Sequence, residues 1–169
     1  YFNKPRSADE NEDSQHGSYL GPSFTNEEIR AFLEEHNIPH QYLETESLIP
    51  HVTSLIETGT VIGWFQGRME FGPRALGSRS IIGDARNKDM QSVMNLKIKF
   101  RESFRPFAPI VLEEYAEDYF KTDGYPSPYM LLTAYLQEAH RKEMTDEEKE
   151  LFGIAKLNVP RSDIPAVTH

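Results

Sequence analysis

The stretch of chain from Gly63 to Pro109 constrains the fold most, because glycine and proline interrupt regular structure there while basic side chains collect along it. Its first part, from Gln66 to Gly77, holds three glycines and one proline among twelve residues. That density predicts a shaped loop rather than a helix or a strand. The whole stretch carries nine basic and four acidic residues, whereas the remainder of the chain carries nine basic and 23 acidic residues. Such a basic stretch in an acidic chain indicates a local site for anions.

The composition limits the classes of protein to which this stretch can belong. The chain has 169 residues, enough for one domain with a core, and a formal net charge of −9. That charge argues against a protein that coats nucleic acid, whose pI usually exceeds about 9. No apolar run reaches the length of about 18 residues that a membrane-spanning helix needs. The absence of cysteine excludes disulfides and is typical of a cytoplasmic protein, and the histidines lack the spacing of metal ligands.

Helix and strand patterns alternate on both sides of the loop, which predicts an α/β fold. Thr25 and Glu28 form a capping box before an apolar helical face that should end near Asn37. Thr145 and Glu148 repeat the capping pattern near the other end of the chain. Further helices are expected at 47–58, at 87–100 with Asn87 as its cap, and at 113–120. Strands are expected at 60–65, 80–83, 107–112 and 164–169, and at 129–136, where a helical periodicity is an alternative.

The first 18 residues differ in composition from the rest of the chain. They are charged and polar, with almost no apolar residue after position 3, which predicts a linker or a tail from a preceding domain. Residues 19–169 are then the domain. Because the chain does not begin with methionine, we expect a fragment or a processed chain. Because it stops on an apolar, strand-like run, we expect the domain to be incomplete at its C-terminal end.

The loop carries arginines beside glycines, at Arg68, Arg74 and Arg79. A guanidinium group presents a planar fork of donors that suits phosphate and carboxylate oxygens, and glycine lets the backbone approach a ligand closely. The loop lacks the Lys-Ser/Thr pair of a Walker phosphate loop. An alternative is that some of these arginines pair with Glu70 and Asp84 and only fix the shape of the loop.

A second basic set follows, made of Asn95, Lys97, Lys99, Arg101 and Arg105. On a regular helix Lys97 and Arg101 lie one turn apart and Lys99 lies on another face, so at most half of the set can line one site. Arg105 lies in the run FRPFAP, where two prolines restrict the backbone and lower the entropy lost on binding. Nothing in the sequence marks a general base. A site of this kind catalyses by positioning and charge neutralisation.

Three of these segments carry a family resemblance: GWFQGRMEFGPRALGSRSIIGDAR, MNLKIKFRESFRPFAP and RSDIPAVTH. They resemble the C-terminal domain of the carbamoyltransferases, the family of nodulation protein NodU and the antibiotic O-carbamoyltransferases. The resemblance implies a YrdC-like fold, a twisted open mixed sheet with flanking helices. It also implies that this domain forms carbamoyl-adenylate from carbamoyl phosphate and ATP with Mg²⁺, and that a separate N-terminal domain with an iron passes the carbamoyl group to a hydroxyl.

The resemblance also implies which residues bind the substrates. The family's phosphate- and nucleotide-binding positions fall on Arg74, Lys99 and Arg105, with Arg79, Ser80 and Arg101 as further candidates. Family members continue beyond the last residues of this chain into segments that help to build the nucleotide site, so we expect the chain to be inactive alone. Two alternatives are a non-catalytic YrdC-like module that binds RNA or a partner protein, and a truncated domain that binds nothing. The acidic charge and the lack of RNP-type aromatic residues beside the basic residues argue against RNA.

Overall fold

The structure, a computed structural model, describes residues 13–168. Two α-helices precede the first strand. The first, α1, spans Asn26–Glu35. The predicted capping box is confirmed: the Thr25 hydroxyl accepts from the Glu28 N–H at 3.2 Å, and the Glu28 carboxylate accepts from the Thr25 N–H at 2.7 Å. The second, α2, spans Thr45–Glu57 and begins two residues before the predicted start.

The strands β1 (Ile62–Phe65) and β2 (Arg79–Ile82) form an antiparallel pair in which Ile62 lies opposite Ile82. Both predicted strands are confirmed: β1 is two residues shorter at its start than the predicted 60–65, and β2 lies one residue before the predicted 80–83. The chain between them is the predicted loop, and its two ends are joined by a hydrogen bond from the Gln66 N–H to the Ser78 carbonyl, 3.0 Å long. We call residues 66–78 the arginine loop. It is the connection of a hairpin, so the pairing of the two strands fixes both of its ends.

The predicted helix at 87–100 exists but begins and ends differently from the prediction: it starts at Met90, and its N-cap residue is Asp89 instead of the predicted Asn87. Helix α3 spans Met90–Val93 and continues as a π-helix, Met94–Ile98, in which the Lys99 N–H donates to the Met94 carbonyl at 2.9 Å. Phe100 then adopts a left-handed backbone with φ of 49°. The prediction that Lys97 and Arg101 lie one helical turn apart is therefore wrong, because Arg101 lies beyond the helix.

The core of the described residues is small and lies between α3 and the C-terminal segment. Met90, Met94 and Ala166 are buried together, with Val61 and Phe107 packed against them. The Ala166 N–H donates to the Ala85 carbonyl at 3.1 Å. This contact brings the C-terminal segment to the exit of β2, and the core thereby joins the hairpin, the helix and the chain end.

The remaining elements are short. Helix α4 spans Ala116–Tyr119 and follows a 3₁₀ turn, Glu113–Tyr115, so the predicted helix at 113–120 is confirmed with a tighter first turn. The strands β3 (Phe120–Lys121) and β4 (Tyr135–Leu136) form a second antiparallel pair. Helix α5 spans Asp146–Lys149 behind the confirmed Thr145 capping box, and α6 spans Ile154–Leu157. Further 3₁₀ turns lie at His16–Ser18, Glu138–His140 and Pro165–Val167.

Three predicted strands are wrong or much shorter than expected. Residues 107–112 have no strand pairing, because Pro106 and Pro109 lack the N–H groups that a ladder requires. Of the predicted strand at 129–136 only the last two residues pair, and the helical alternative is not formed either. Residues 165–167 form a 3₁₀ turn in which the Ser162 hydroxyl accepts from the Ile164 N–H at 3.1 Å. Residue 169, the end of that predicted strand, lies outside the described residues.

The architecture confirms the α/β class. Among residues 13–168 the strands form two separate two-stranded antiparallel sheets, and the larger YrdC-like sheet that the resemblance implies stays a prediction. The helices of the described chain are too short or too polar to cross a membrane.

The predicted linker or tail falls partly on residues 1–12, which lie outside the described residues. Its last six residues, 13–18, pack onto the rest of the chain. Ser18 is buried, and its carbonyl accepts from the Phe71 N–H at 2.7 Å. The Tyr129 hydroxyl accepts from the Gly17 N–H at 3.2 Å and donates to Asp13. Residues 13–18 are therefore in contact with the arginine loop and with Tyr129, and the predicted domain boundary at residue 19 stays a prediction.

Candidate anion-binding site

A buried carboxylate determines the shape of the arginine loop from the inside. The side chain of Glu70 is fully buried, and its Oε1 accepts from the backbone N–H groups of Leu76 at 3.0 Å and Ser78 at 2.9 Å. Its Oε2 lies 3.7 Å from Nε of Arg79. A buried charge is costly unless an opposite charge compensates it, so Arg79 stabilises the loop. For Arg79 the alternative of a loop-fixing arginine is supported.

Residues 18–22, which we call the strap, hold the arginine loop from the outside. Gly21 and Met69 are joined by an N–H to carbonyl hydrogen bond of 2.9 Å, and the Met69 N–H donates to the Pro22 carbonyl at 2.9 Å. Nε of Arg68 donates to the Gly21 carbonyl at 3.0 Å. The strap thus extends the loop into a locally paired structure, and Arg68 contributes to that structure through its side chain.

The other two candidate residues of this region differ in how they are held. Arg74 is exposed, and its guanidinium contacts only the neighbouring Pro73 carbonyl among the described residues, at a long 3.4 Å. Ser80 lies in β2, and its hydroxyl accepts from the Gly77 N–H at 3.1 Å. Arg74 is therefore the guanidinium of this loop that is free to meet a ligand, while Ser80 helps to close the turn beside it.

A buried amide organises the second basic set. The side chain of Asn95 is inaccessible to solvent. Its Nδ2 donates to the carbonyls of Ser103 at 3.0 Å and Arg105 at 2.8 Å, and its Oδ1 accepts from Nε of Arg101 at 2.6 Å. Nε2 of Gln91, one turn earlier, also donates to the Arg105 carbonyl, at 3.1 Å. The segment 99–105 is thereby fastened to the helix that precedes it.

The three basic candidates of this segment have different surroundings. Arg101 is half-buried, and its guanidinium lies 4.9 Å from the centre of the Phe107 ring, a cation–π contact. Arg105 forms an ion pair of 2.9 Å with Glu102, and both side chains are about half exposed. An exposed pair of this kind contributes little, so Arg105 can exchange its partner for a ligand. Lys99 is exposed and ends the π-helix.

The sequence left open the alternative that some arginines pair with Glu70 and Asp84, and the contact between Glu70 and Arg79 confirms part of it. Asp84 forms an ion pair of 2.9 Å with Arg86, and hydrogen bonding to that guanidinium lowers the pKa of Asp84. The pKa of Glu102 is also lowered, first by a hydrogen bond from its own backbone N–H and next by the charge of Arg105. Asp84 thus pairs with an arginine, although not with one of the three arginines that were expected to be its partner.

The structure places the six predicted residues in two groups. Arg74, Arg79 and Ser80 belong to the arginine loop and β2, and Lys99, Arg101 and Arg105 belong to the segment fastened by Asn95. Cδ1 of Ile110, which follows the second group along the chain, lies 3.4 Å from the point where a Cβ of Gly77 would be, so the chain after Arg105 packs against the arginine loop. That the two groups contact one and the same ligand stays a prediction.

Sequence reasoning did not predict that Glu70 and Asn95 fix the backbone of the two loops at the site. Glu70 was considered only as a partner for arginine, and Asn95 only as one member of a polar set. A signal for Asn95 exists in retrospect: Gln91 and Asn95 stand four residues apart, each directly after a buried methionine of the same helix. Within residues 13–168 no three His, Asp or Glu side chains are grouped as metal ligands.

Comparison with known proteins identifies the family. The family model described as "Carbamoyltransferase C-terminus" matches residues 53–169. The chain therefore belongs to the carbamoyltransferase C-terminus family, which confirms the resemblance drawn from the motifs. All six predicted site residues lie inside the matched range.

Individual relatives cover nearly the whole chain. The uncharacterized protein sll1178 of Synechocystis sp. is 59% identical over 159 residues, which are 93% of this chain and 26% of the relative. Nodulation protein NolO of Bradyrhizobium diazoefficiens is 40% identical over 126 residues, 72% of this chain and 23% of the relative. Nodulation protein U of Rhizobium fredii is 34% identical over 151 residues, 89% of this chain and 21% of the relative. The chain thus spans about a quarter of the length of these relatives.

Proposed function

We propose that this chain is the part of a carbamoyltransferase that binds carbamoyl phosphate and ATP and joins them into carbamoyl-adenylate. Phosphate and pyrophosphate leave, and one water molecule is consumed. Mg²⁺ arrives with the nucleotide. The family match over residues 53–169 carries the proposal, because the matched range contains both the arginine loop and the segment fastened by Asn95.

The geometry supports a site that works by charge neutralisation. Both substrates are polyanions, and the chain offers exposed basic groups on two loops whose backbones are fixed, at Arg74 on one and at Lys99 and Arg105 on the other. Each hydrogen bond between charged groups contributes roughly 1.5–3 kcal/mol. Groups that are already held in place stabilise developing charge without reorganisation. Arg79, Ser80 and Arg101 support these three residues.

The other steps of the reaction are proposed from the resemblance to the carbamoyltransferase family. A separate N-terminal domain with an iron would pass the carbamoyl group to a hydroxyl of the acceptor, and a YrdC-like sheet would complete the nucleotide site. We therefore expect that these 169 residues alone do not form carbamoyl-adenylate at a useful rate. Because ATP is the proposed co-substrate, the reaction would take place in the cytoplasm.

The test is carbamoyl-phosphate-dependent exchange between ATP and pyrophosphate in the protein at its full natural length. Arg74→Ala and Arg105→Ala are each expected to lower the exchange rate a hundredfold or more. Arg86→Ala removes the same kind of group from the same basic stretch, but one that pairs with Asp84, and should keep the rate within a few-fold. Near-normal exchange in both Arg74→Ala and Arg105→Ala would refute the site.

A further inference from the structure

Asn95 uses every donor of its buried side chain. Both N–H groups of Nδ2 reach backbone carbonyls, those of Ser103 and Arg105, and Oδ1 accepts from Arg101. The residue has no accessible surface. A buried amide that is fully bonded in this way specifies one arrangement of its partners, because any other arrangement leaves a polar group unpaired in the interior.

The network fixes the guanidinium of Arg101 before a ligand arrives. Its Nε is anchored by Asn95 at 2.6 Å, and its plane lies 4.9 Å from the centre of the Phe107 ring. Phe107 in turn packs against the methionine core. The two terminal Nη groups make no hydrogen bond or ion pair with any residue of the described part of the chain. They present the fork of donors that suits two oxygens of a phosphate.

The same network fixes the backbone that carries Arg105. Its carbonyl accepts from Asn95 and from Gln91. The Arg101 N–H donates to the Asn95 carbonyl at 3.0 Å, and Phe100 makes the turn between them with φ of 49°. Arg101 and Arg105 are thus held by one side chain, although the guanidinium of Arg105 is half-exposed and pairs with Glu102.

We propose that Asn95 is the positioning residue of the anion site, and that it acts by pre-orienting Arg101 toward a phosphate group of the substrate. This inference rests on the proposed function and deepens it. Of the two arginines in the segment, Arg101 provides the rigid contact and Arg105 the adaptable one. An arginine whose orientation is fixed in advance loses less entropy when the anion binds, so loss of Asn95 weakens binding although Asn95 touches no ligand.

A double-mutant cycle separates positioning from a purely structural role. In the full-length protein, calorimetry measures the binding of pyrophosphate to the wild type, Asn95→Ala, Arg101→Lys and the double variant. Each single variant is expected to bind pyrophosphate tenfold or more weakly. In the Arg101→Lys background Asn95→Ala should add a clearly smaller loss than it does in the wild type, because the guanidinium that Asn95 orients is gone and only its bonds to the backbone of the segment remain. Asn87→Ala removes a matching amide near the start of the same helix and should bind as the wild type does.

Three outcomes would overturn the inference. One is a folded Asn95→Ala variant with unchanged binding, and another is an equal loss from Asn95→Ala in both backgrounds. The third is pyrophosphate binding by Arg101→Lys within twofold of the wild type. This variant keeps the charge but loses the anchored Nε, and it changes no core residue. It therefore tests the inference even if Asn95→Ala fails to fold. If Arg74→Ala and Arg105→Ala lose exchange while these variants bind normally, only the positioning role fails. If those two keep exchange, the proposed function itself fails.

Discussion

Single buried polar side chains decide the conformation of both loops at the candidate site. The Glu70 carboxylate satisfies two backbone N–H groups of the arginine loop, and the Asn95 amide satisfies two carbonyls of the segment 99–105. Backbone groups of loops have no ladder partner, and leaving one buried and unpaired costs about 1–3 kcal/mol. Each of these two residues therefore stabilises a backbone shape that its loop would not adopt alone.

At the same scale, the pair of Asp84 and Arg86 makes stability depend on pH. Because the guanidinium lowers the pKa of Asp84 in the folded state, the carboxylate adds stability above its unfolded pKa of about 3.9, and this contribution disappears as the pH falls through the lower folded value. Asp84→Asn should therefore lower the free energy of unfolding by about 0.2–1 kcal/mol near neutral pH. Once the pH has fallen below the folded pKa of Asp84, variant and wild type should converge.

Urea titrations of the wild type and Asp84→Asn across this pH range check the expectation. Arg86→Ala serves as the partner variant, since removing the guanidinium should abolish the same pH dependence while Asp84 remains. A difference between wild type and Asp84→Asn that stays constant down to the acid limit would contradict the assignment.

At the scale of elements, the close approach between the exit of β2 and helix α3 depends on Gly83. A Cβ at this position would lie 2.7 Å from Sδ of Met90 and 3.0 Å from Sδ of Met94. Both methionines are buried. An added methyl group must displace one of them from the core, and overpacking of this kind costs typically 1–3 kcal/mol.

Gly83→Ala is accordingly expected to destabilise the protein by about 1–3 kcal/mol, measured from the urea midpoint at constant slope. Gly63→Ala is the matched control, because Gly63 lies in β1 with no atom within 4 Å of an added Cβ. That variant should be neutral or slightly more stable. An equal effect of the two substitutions would show that the packing argument is incorrect.

At the scale of the whole molecule, the surface is too large and too apolar for an isolated domain. The accessible area is 13535 Å², whereas a compact monomer of 19.5 kDa exposes about 8,500 Å². The thirteen undescribed residues account for at most about 2,300 Å² even if fully exposed. Leu131 is 82% exposed and Phe152 93% exposed, and Phe32 on the apolar face of α1 is 55% exposed. Apolar surface on this scale is typical of faces that other protein covers.

We therefore expect the 169-residue chain, expressed by itself, to bind a hydrophobic dye and to self-associate as its concentration rises. A protein of the length of its relatives, in which further chain can cover these faces, is expected to do so much less. Dye fluorescence and sedimentation velocity over a hundredfold range of concentration make the comparison. A sharp monomer without dye binding in the 169-residue chain would show that these faces need no cover.

The elements that were predicted correctly are those whose determinants lie close together along the chain. The capping boxes at Thr25 and Thr145 join residues three positions apart, so they form wherever the backbone turns into a helix. The two strands of the hairpin contain β-branched and aromatic residues and flank a glycine-rich loop, which is also a local pattern. The family followed from motifs that are contiguous in sequence.

The sequence alone thus determined the two helix starts marked by the capping boxes at Thr25 and Thr145, the hairpin with its arginine loop, and the membership of the carbamoyltransferase C-terminus family. Only the tertiary structure decided that α3 continues as a π-helix and that Arg101 lies beyond the end of that helix. It also decided that residues 107–112 and 165–167 are not strands. These outcomes depend on Met90, Met94 and Ala166 meeting in one core, and on which buried amide reaches which distant carbonyl. Such contacts join residues far apart in the chain, so no local pattern of hydrophobicity or charge records them.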